Sequence, residues 1–122
     1  MRFLKIEKNK NCRRCPYFTH AFVPPVGPKD AEVVLVGENP GRLDARENHP
    51  FVGDSGQILD EVLQAVDLNR NDTYITFAVK CARAENEDET NKDAIEHCRN
   101  NFLTKELLEI KPNVIAPMGN VA

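Results

Sequence analysis

The stretch that most constrains the fold of this chain covers residues 32–56 and reads EVVLVGENPGRLDARENHPFVGDSG. It opens on residues 33–36, a short, β-branched apolar run that is typical of a strand buried on both faces. The run stops at residues 37–41, GENPG, where two glycines and a proline surround a carboxylate and predict a tight turn. Ligands of α/β sheets bind just beyond the carboxyl ends of the strands, so this turn predicts a ligand site.

Hydrophobic periodicity predicts the order β-α-β-α-β along the chain. An amphipathic helix over residues 55–66 is expected to lay its apolar stripe on the sheet, and the stripe consists of Ile58, Leu59, Val62, Leu63 and Val66. Residues 73–79 and 113–118 predict strands, and residues 91–110 predict one bent helix or two short ones. This order gives parallel strands with right-handed crossovers, so the fold class is an α/β sandwich.

The chain has the length of one domain, with 122 residues. Residues 119–122 predict the opening of another helix, so we expect a single domain, 1–122, that is incomplete at its carboxyl terminus. Prolines and glycines in residues 18–30 predict a linker that crosses the surface to the first strand. We therefore divide the chain into an amino-terminal arm with its linker, 1–31, and an α/β core, 32–122.

Charge and hydropathy restrict the partners of the chain. A net charge of −3 gives no global attraction for DNA or for an anionic membrane, so DNA contact requires a local basic patch. No apolar run approaches the roughly 20 residues of a membrane span, and residues 1–5 lack the apolar core of a signal peptide. We expect a cytoplasmic monomer that has no membrane partner.

Cysteine spacing predicts a metal or cluster site. Cys12 and Cys15 form a C-x2-C pair, and Cys81 and Cys98 complete a set of 4 cysteines. In a reducing compartment this set fits a tetrathiolate site better than two disulfides, with free structural cysteines as the alternative. Zinc ribbons favour a second close pair, which is missing here, so the spacing favours iron–sulfur over zinc.

A set of motifs, in order and with similar gaps, resembles the family 4 uracil-DNA glycosylases, a group that also takes in a domain related to a bacteriophage DNA polymerase. The motifs are VGENPG at 36–41, PFVGDSGQIL at 50–59, YIT at 74–76, VKC at 79–81, Cys98 and IKP at 110–112. The resemblance implies a three-layer α/β/α sandwich with a central parallel sheet. It also implies base excision repair of DNA that contains a deaminated base, and a structural [4Fe-4S] cluster on Cys12, Cys15, Cys81 and Cys98, with zinc as the alternative.

The resemblance also implies roles for residues around the central turn. Breaking an N-glycosidic bond develops positive charge on the sugar, so a carboxylate and a positioned water lower the barrier, once the base has been flipped from the stack. By the resemblance Glu38 lies in the water-activating motif and Asp44 assists it. Gly37, Asn39 and Gly41 supply backbone to the pocket, and Phe51 stacks on the base. The alternatives are an exposed turn carboxylate for Glu38 and a core aromatic for Phe51.

Departures from the family pattern leave the activity open. Phe77 stands where the family usually has an asparagine that reads the uracil edge, and a phenyl ring makes no such hydrogen bonds. The late histidine–proline motif of the family has no counterpart. Lys80 is expected at the DNA, in a small basic patch around the cluster that also contains Arg13, Arg14 and Arg83, with ordinary solvated charges as the alternative. Residues 82–89 form an acidic loop that repels phosphates.

Hypotheses of different classes follow from these departures. The first is a DNA glycosylase, a hydrolase of N-glycosyl bonds, of which this chain alone is inactive or weak. The second is a non-catalytic iron–sulfur module of phage type that binds DNA or a replication partner. The third is a cluster or zinc protein of another purpose that shares only the scaffold.

Overall fold

The computed structural model describes residues 4–84 and 86–122; residues 1–3 and Glu85, one of the residues of the predicted acidic loop, lie outside it. The strands are β1 (Val33–Gly37), β2 (Tyr74–Phe77) and β3 (Val114–Pro117). The helices are α1 (Arg42–Glu47), α2 (Asp54–Ala65), α3 (Lys92–Cys98) and α4 (Thr104–Ile110). Short 3-10 helices cover Lys10–Arg14 and Arg70–Asp72, and a π-helical segment, Arg99–Leu103, joins α3 to α4.

The strands form a parallel sheet in the order β2-β1-β3, with β1 in the centre. Val34, Tyr74 and Ile110 belong to the core on one face, toward α4, and Leu35 and Leu59 belong to the core on the other, toward α2. Helices therefore cover both faces of the sheet, which confirms the predicted α/β/α sandwich. Because the strands are parallel, their carboxyl ends meet at one edge of the sheet.

The apolar stripe predicted for α2 is only partly correct. Leu59 and Leu63 are buried against the sheet, but Ile58, Val62 and Val66 are exposed. Ile58 and Val62 each precede a buried leucine, and one residue turns a helix by about 100°. The apolar positions of α2 thus form two stripes, of which one packs on the sheet and the other does not.

Other local predictions were wrong or incomplete. No sequence pattern had predicted the short helix α1, which covers Arg42–Glu47. Residues 119–122 are not helical. The proline-rich linker makes two isolated antiparallel bridges, one from Val26 to Ile75 in β2 and one from Phe22 to Cys81, which follows β2. The bent-helix alternative for residues 91–110 is correct, since the π-helical segment continues α3 into α4.

A buried ion pair links the end of β2 to α4. Lys80 Nζ lies 2.6 Å from Glu106 Oε1, and both side chains are 0% exposed. Lys80 also donates to the Phe77 carbonyl, and the Tyr74 hydroxyl donates to Glu106 Oε2 at 2.6 Å. Burial, and then the charge of Glu106, raise the pKa of Tyr74 far above its usual value. We therefore reassign Lys80 from the predicted DNA interface to the core.

No helix among residues 4–84 and 86–122 has the length and apolarity that a membrane crossing requires.

Candidate active site

A cavity of about 670 Å³ lies at the carboxyl ends of β1 and β2. It brings together every residue predicted for catalysis or base binding except Lys80, namely Gly37, Glu38, Asn39, Gly41, Asp44, Phe51 and Phe77. Its outer wall is apolar and includes Leu43, Ile58, Val62 and Met118. A half-open cavity with apolar walls and few polar groups is the usual form of a small-molecule or base pocket.

Two stacked aromatic rings form one wall of this cavity. The rings of Phe51 and Phe77 lie 5.2 Å apart between centroids, with 15° between their planes. A Cβ added at Gly37 would lie 2.8 Å from Phe51 Cζ and 3.0 Å from Phe77 Cδ1, so only glycine leaves room for the pair. The ring separation is already a stacking distance, so no base fits between the rings. Phe77 is buried and Phe51 is half-buried, so Phe51 presents the more accessible ring to the cavity.

The turn that carries Phe51 has an unusual backbone conformation. Phe51 has φ of +55°, in the left-handed region that bulky residues rarely adopt. Arg70 Nη2 donates to the carbonyls of Pro50 at 2.6 Å and Phe51 at 2.9 Å, while Arg70 Nη1 lies 2.7 Å from Asp60 Oδ1. No sequence pattern indicated this role of Arg70, which holds the Phe51 turn from outside the cavity.

Gly56→Ala is expected to lower the free energy of unfolding by about 1–3 kcal/mol because of overpacking. The new Cβ would lie 1.9 Å from the Phe51 carbonyl oxygen, so the Phe51 turn has to move. This loss outweighs the gain in helix propensity of about 1 kcal/mol. Urea denaturation measures the difference. Gly41→Ala is the control, because its nearest non-neighbouring atom is 4.0 Å away, and equal losses in both variants would contradict the expectation.

Asp44 connects the two turns of the cavity. Its Oδ1 accepts a hydrogen bond from the Val52 amide at 2.9 Å, and its Oδ2 accepts one from the Gly41 amide at 3.2 Å. The side chain is buried at the start of α1. Because backbone donors occupy both oxygens, this geometry favours a structural role for Asp44 over the predicted assistance to Glu38.

Glu38 lies at the mouth of the cavity, directly after β1. Its Oε2 accepts a hydrogen bond from Thr90 Oγ1 at 2.5 Å and lies 3.6 Å from Arg83 Nη1. The side chain is 34% exposed, so solvent and substrate can reach the carboxylate. The backbone of Gly37 and Glu38 accepts bonds from Ala78 and Val79, which extends the pairing of β1 and β2 beyond the strands. Neither Thr90 nor Arg83 was identified from sequence as a partner of Glu38.

The four cysteines are buried in one apolar cluster. Cys12 and Cys15 lie on or next to the first 3-10 helix, Cys81 follows β2, and Cys98 ends α3. All of them are free thiols. The four cysteines that were predicted as ligands thus come from distant parts of the chain and lie in one buried cluster.

Hydrogen-bond donors point at two of these sulfurs. The Asn9 amide and Asn101 Nδ2 lie 3.4 Å and 3.6 Å from Cys12 Sγ, and the Tyr17 amide lies 3.4 Å from Cys15 Sγ. Donors of this kind support thiolate ligands in metal and cluster sites.

Burial disfavours the charged form of these thiols. It raises the pKa of Cys81 to about 12 and is the main cause that raises the pKa of Cys15 and Cys98. Since the ligand is the thiolate, metal or cluster binding here has to displace protons.

The grouping of possible metal ligands was compared with what a single metal ion requires. Within residues 4–84 and 86–122, no three histidine, cysteine or acidic side chains are grouped closely enough to hold one metal ion. A zinc ion with bonds of about 2.3 Å requires all its sulfurs within about 4 Å of one another. The described residues therefore contain no preformed site for a single metal ion.

Comparisons with a family model and with individual proteins point to the same family. Residues 24–122 match the family model described as Uracil DNA glycosylase superfamily. The chain is 40% identical over 114 residues to the type-4 uracil-DNA glycosylase of Archaeoglobus fulgidus, which is 92% of this chain and 56% of that protein. It is 35% identical over 115 residues to the enzyme of Pyrobaculum aerophilum, which is 93% of this chain and 58% of that protein.

A DNA polymerase of Bacillus phage SP01 is 30% identical over 97 residues, which is 79% of this chain and 10% of the polymerase. The chain spans little more than half the length of the glycosylases named above.

Proposed function

We propose that this chain, which belongs to the uracil-DNA glycosylase superfamily, forms the base-binding half of a DNA glycosylase that removes a deaminated base in base excision repair. The observation that carries this proposal is the cavity in which Glu38, Phe51 and the 37–41 turn meet. Its substrate is a nucleotide flipped out of DNA, because the bond to be broken is inaccessible inside a duplex.

The residues of the cavity have separate tasks in this proposal. The Phe51 ring replaces the stacking that the base loses when it leaves the duplex. As the bond between C1′ and the base nitrogen breaks, its electron pair leaves with the base and positive charge develops on the sugar. The Glu38 carboxylate stabilises that charge and orients a water, whose oxygen bonds to C1′. One proton of the water passes to Glu38. The departing base anion takes up one proton from solvent, and Glu38 then releases its proton to solvent.

We also propose that Cys12, Cys15, Cys81 and Cys98 hold a [4Fe-4S] cluster. The common burial of the thiols and the donors aimed at their sulfurs support this assignment. The cluster would supply a cross-link between the amino-terminal arm, the end of β2 and α3. It has no part in the reaction, which the cavity residues carry out.

Protein purified without oxygen is expected to be brown and to contain about four irons and about four sulfides per chain. Visible absorption and chemical analysis of iron and sulfide measure this. Cys98→Ser is expected to lower the iron content, because it removes a ligand, whereas Ser55→Ala, far from the cysteines in sequence, is the control. A colourless protein that contains one zinc per chain would contradict the cluster assignment.

Phe77 is expected to weaken the preference for uracil. Its buried ring reaches the cavity but offers no hydrogen bond to a base edge. Phe77→Asn is expected to raise the rate of uracil release by about tenfold, the value of one good hydrogen bond. Release of radiolabelled uracil from single-stranded DNA measures the rate. Phe77→Leu is the control, because it removes the ring without adding an amide, and an equal gain in both variants would contradict this explanation.

The second candidate is a non-catalytic module that binds DNA without cleaving it. Phe77 at the position of the uracil-reading amide favours it, as does the similarity to part of a phage DNA polymerase. The two candidates are separated by measuring binding and release with the same uracil-containing oligonucleotide. Saturable, salt-dependent binding without release, in this chain and in a longer one, would favour the second candidate.

A further inference from the structure

The Glu38 carboxylate is held by a separate loop rather than by the 37–41 turn that carries it. The loop residues that the structure describes are 82–84 and 86–91, between β2 and α3. Thr90 is buried, and its hydroxyl donates to Glu38 Oε2 at 2.5 Å. Arg83 Nη1 lies 3.6 Å from the same oxygen and donates to the Asp88 carbonyl at 2.9 Å. The orientation of Glu38 therefore depends on where this loop lies.

The loop is in turn fixed to the amino-terminal arm by Tyr17. The Tyr17 hydroxyl donates to Glu87 Oε2 at 3.0 Å and accepts a bond from the Asn91 amide at 2.9 Å. Asn91 follows Thr90 directly, so Tyr17 fixes the backbone next to the residue that holds Glu38. The Ala84 amide, which bonds to Glu87 Oε1 at 2.9 Å, is the main cause that lowers the pKa of Glu87 and keeps this acceptor charged.

Tyr17 is well placed to transmit the position of the arm. It is buried, its ring stacks on His20 at 4.6 Å, and its own amide donates to Cys15 Sγ at 3.4 Å. Tyr17 thus contacts the sulfur of a cysteine and two residues of the loop, Glu87 and Asn91. The contacts form a series that runs from Cys15 through Tyr17, Asn91 and Thr90 to Glu38.

We propose that Tyr17 and Thr90 are positioning residues for Glu38, acting in series, so that the cysteine-bearing arm sets the orientation of the reactive carboxylate. The inference rests on the proposed function. In this view the arm does more than stabilise the fold, because it determines whether Glu38 points at the sugar. Tyr17 and Thr90 touch neither base nor sugar and act only through Glu38.

The test uses the full chain with its metal group and measures base release from uracil-containing DNA. Tyr17→Phe and Thr90→Ala are each expected to lower kcat by about 10- to 100-fold, since a small misplacement of a reacting group is costly. KM is expected to stay within about twofold, because DNA binding does not use Glu38. Thr90→Ser keeps the hydroxyl and is expected to restore the rate. The double variant is expected to be no slower than the slower single variant, since the two residues act in one series.

Controls separate positioning from folding. Tyr17→Phe keeps the hydrogen bond from the residue 17 backbone amide to Cys15 Sγ, so its visible spectrum is expected to match that of the unaltered protein. Tyr74→Phe removes another buried hydroxyl that lies outside the series, and its kcat is expected to stay unchanged. Additive losses, a change in KM alone, or failure of Thr90→Ser to restore the rate would overturn the proposal.

A second measurement keeps the proposal testable if this chain alone releases no base because catalysis needs the rest of the enzyme. Crystal structures of the unaltered chain and of Tyr17→Phe show the Glu38 side chain directly. The proposal expects Thr90 to withdraw from Glu38 and the carboxylate to take another rotamer in Tyr17→Phe. An unchanged Glu38 carboxylate in that variant would overturn the inference.

Discussion

Glu38→Gln is expected to lower the rate of base release by about 100- to 10,000-fold, the range for the loss of a general base or charge-stabilising carboxylate. Glutamine has the same size as glutamate and still accepts the Thr90 hydroxyl bond, but it carries no charge and takes no proton. Single-turnover release of uracil measures the loss, and titration of the same DNA checks that binding is retained.

A matched control for this variant is Glu47→Gln. Glu47 is exposed at the end of α1 and does not line the cavity, so its removal tests the effect of one negative charge alone. Its rate of release is expected to equal that of the unaltered protein. If Glu38→Gln also kept that rate, Glu38 would have no part in the chemistry, and the role assigned to the cavity mouth would be wrong.

Glu106→Gln is expected to lower the free energy of unfolding by about 3–5 kcal/mol, because it leaves a buried ammonium without its counter-charge. Lys80 is 0% exposed and lies 2.6 Å from Glu106, so water cannot replace the lost partner without a rearrangement of the core. Urea denaturation followed by circular dichroism measures the loss.

Two further variants test the reason for this loss. Lys80→Met combined with Glu106→Leu removes both charges and is expected to recover most of the stability, as replacement of a buried pair by apolar residues often does. Glu7→Gln removes one partner of the exposed pair with Lys5, which lies at 3.8 Å, and is expected to cost less than about 1 kcal/mol. Equal effects of Glu7→Gln and Glu106→Gln would contradict the explanation by burial.

The sequence was sufficient for those parts of the fold that depend on local pattern. Residues 33–36 form a buried central strand because their side chains are apolar on both faces, and the glycines and proline after them end it. The 37–41 turn then lies at the carboxyl edge of the sheet, beside Phe51 and Phe77, as the topology of parallel strands requires. The family match and the α/β/α layers agree with these predictions.

The remaining features depend on contacts between distant residues, which no local pattern specifies. Lys80 was predicted to contact DNA because its sequence neighbourhood does not show a buried partner. That partner, Glu106, lies on α4, and only the fold brings the two side chains together. The contacts of Thr90 with Glu38 and of Arg70 with the Phe51 turn were also missed, because the residues in each contact are far apart in sequence. The outer stripe of α2 was misassigned because apolar character predicts a helix but does not tell which of two adjacent stripes is buried.

The proposed function requires that the cavity between Glu38, Phe51 and Phe77 receives a base flipped out of DNA. Nuclear magnetic resonance of the labelled chain, titrated with a uracil-containing single-stranded oligonucleotide, locates the ligand whether or not cleavage follows. We expect the signals of Phe51, Gly37 and Ile58 to shift with uracil and less with an oligonucleotide that contains only normal bases. Binding that leaves these signals unmoved, or that shifts them equally with both oligonucleotides, would contradict the claim.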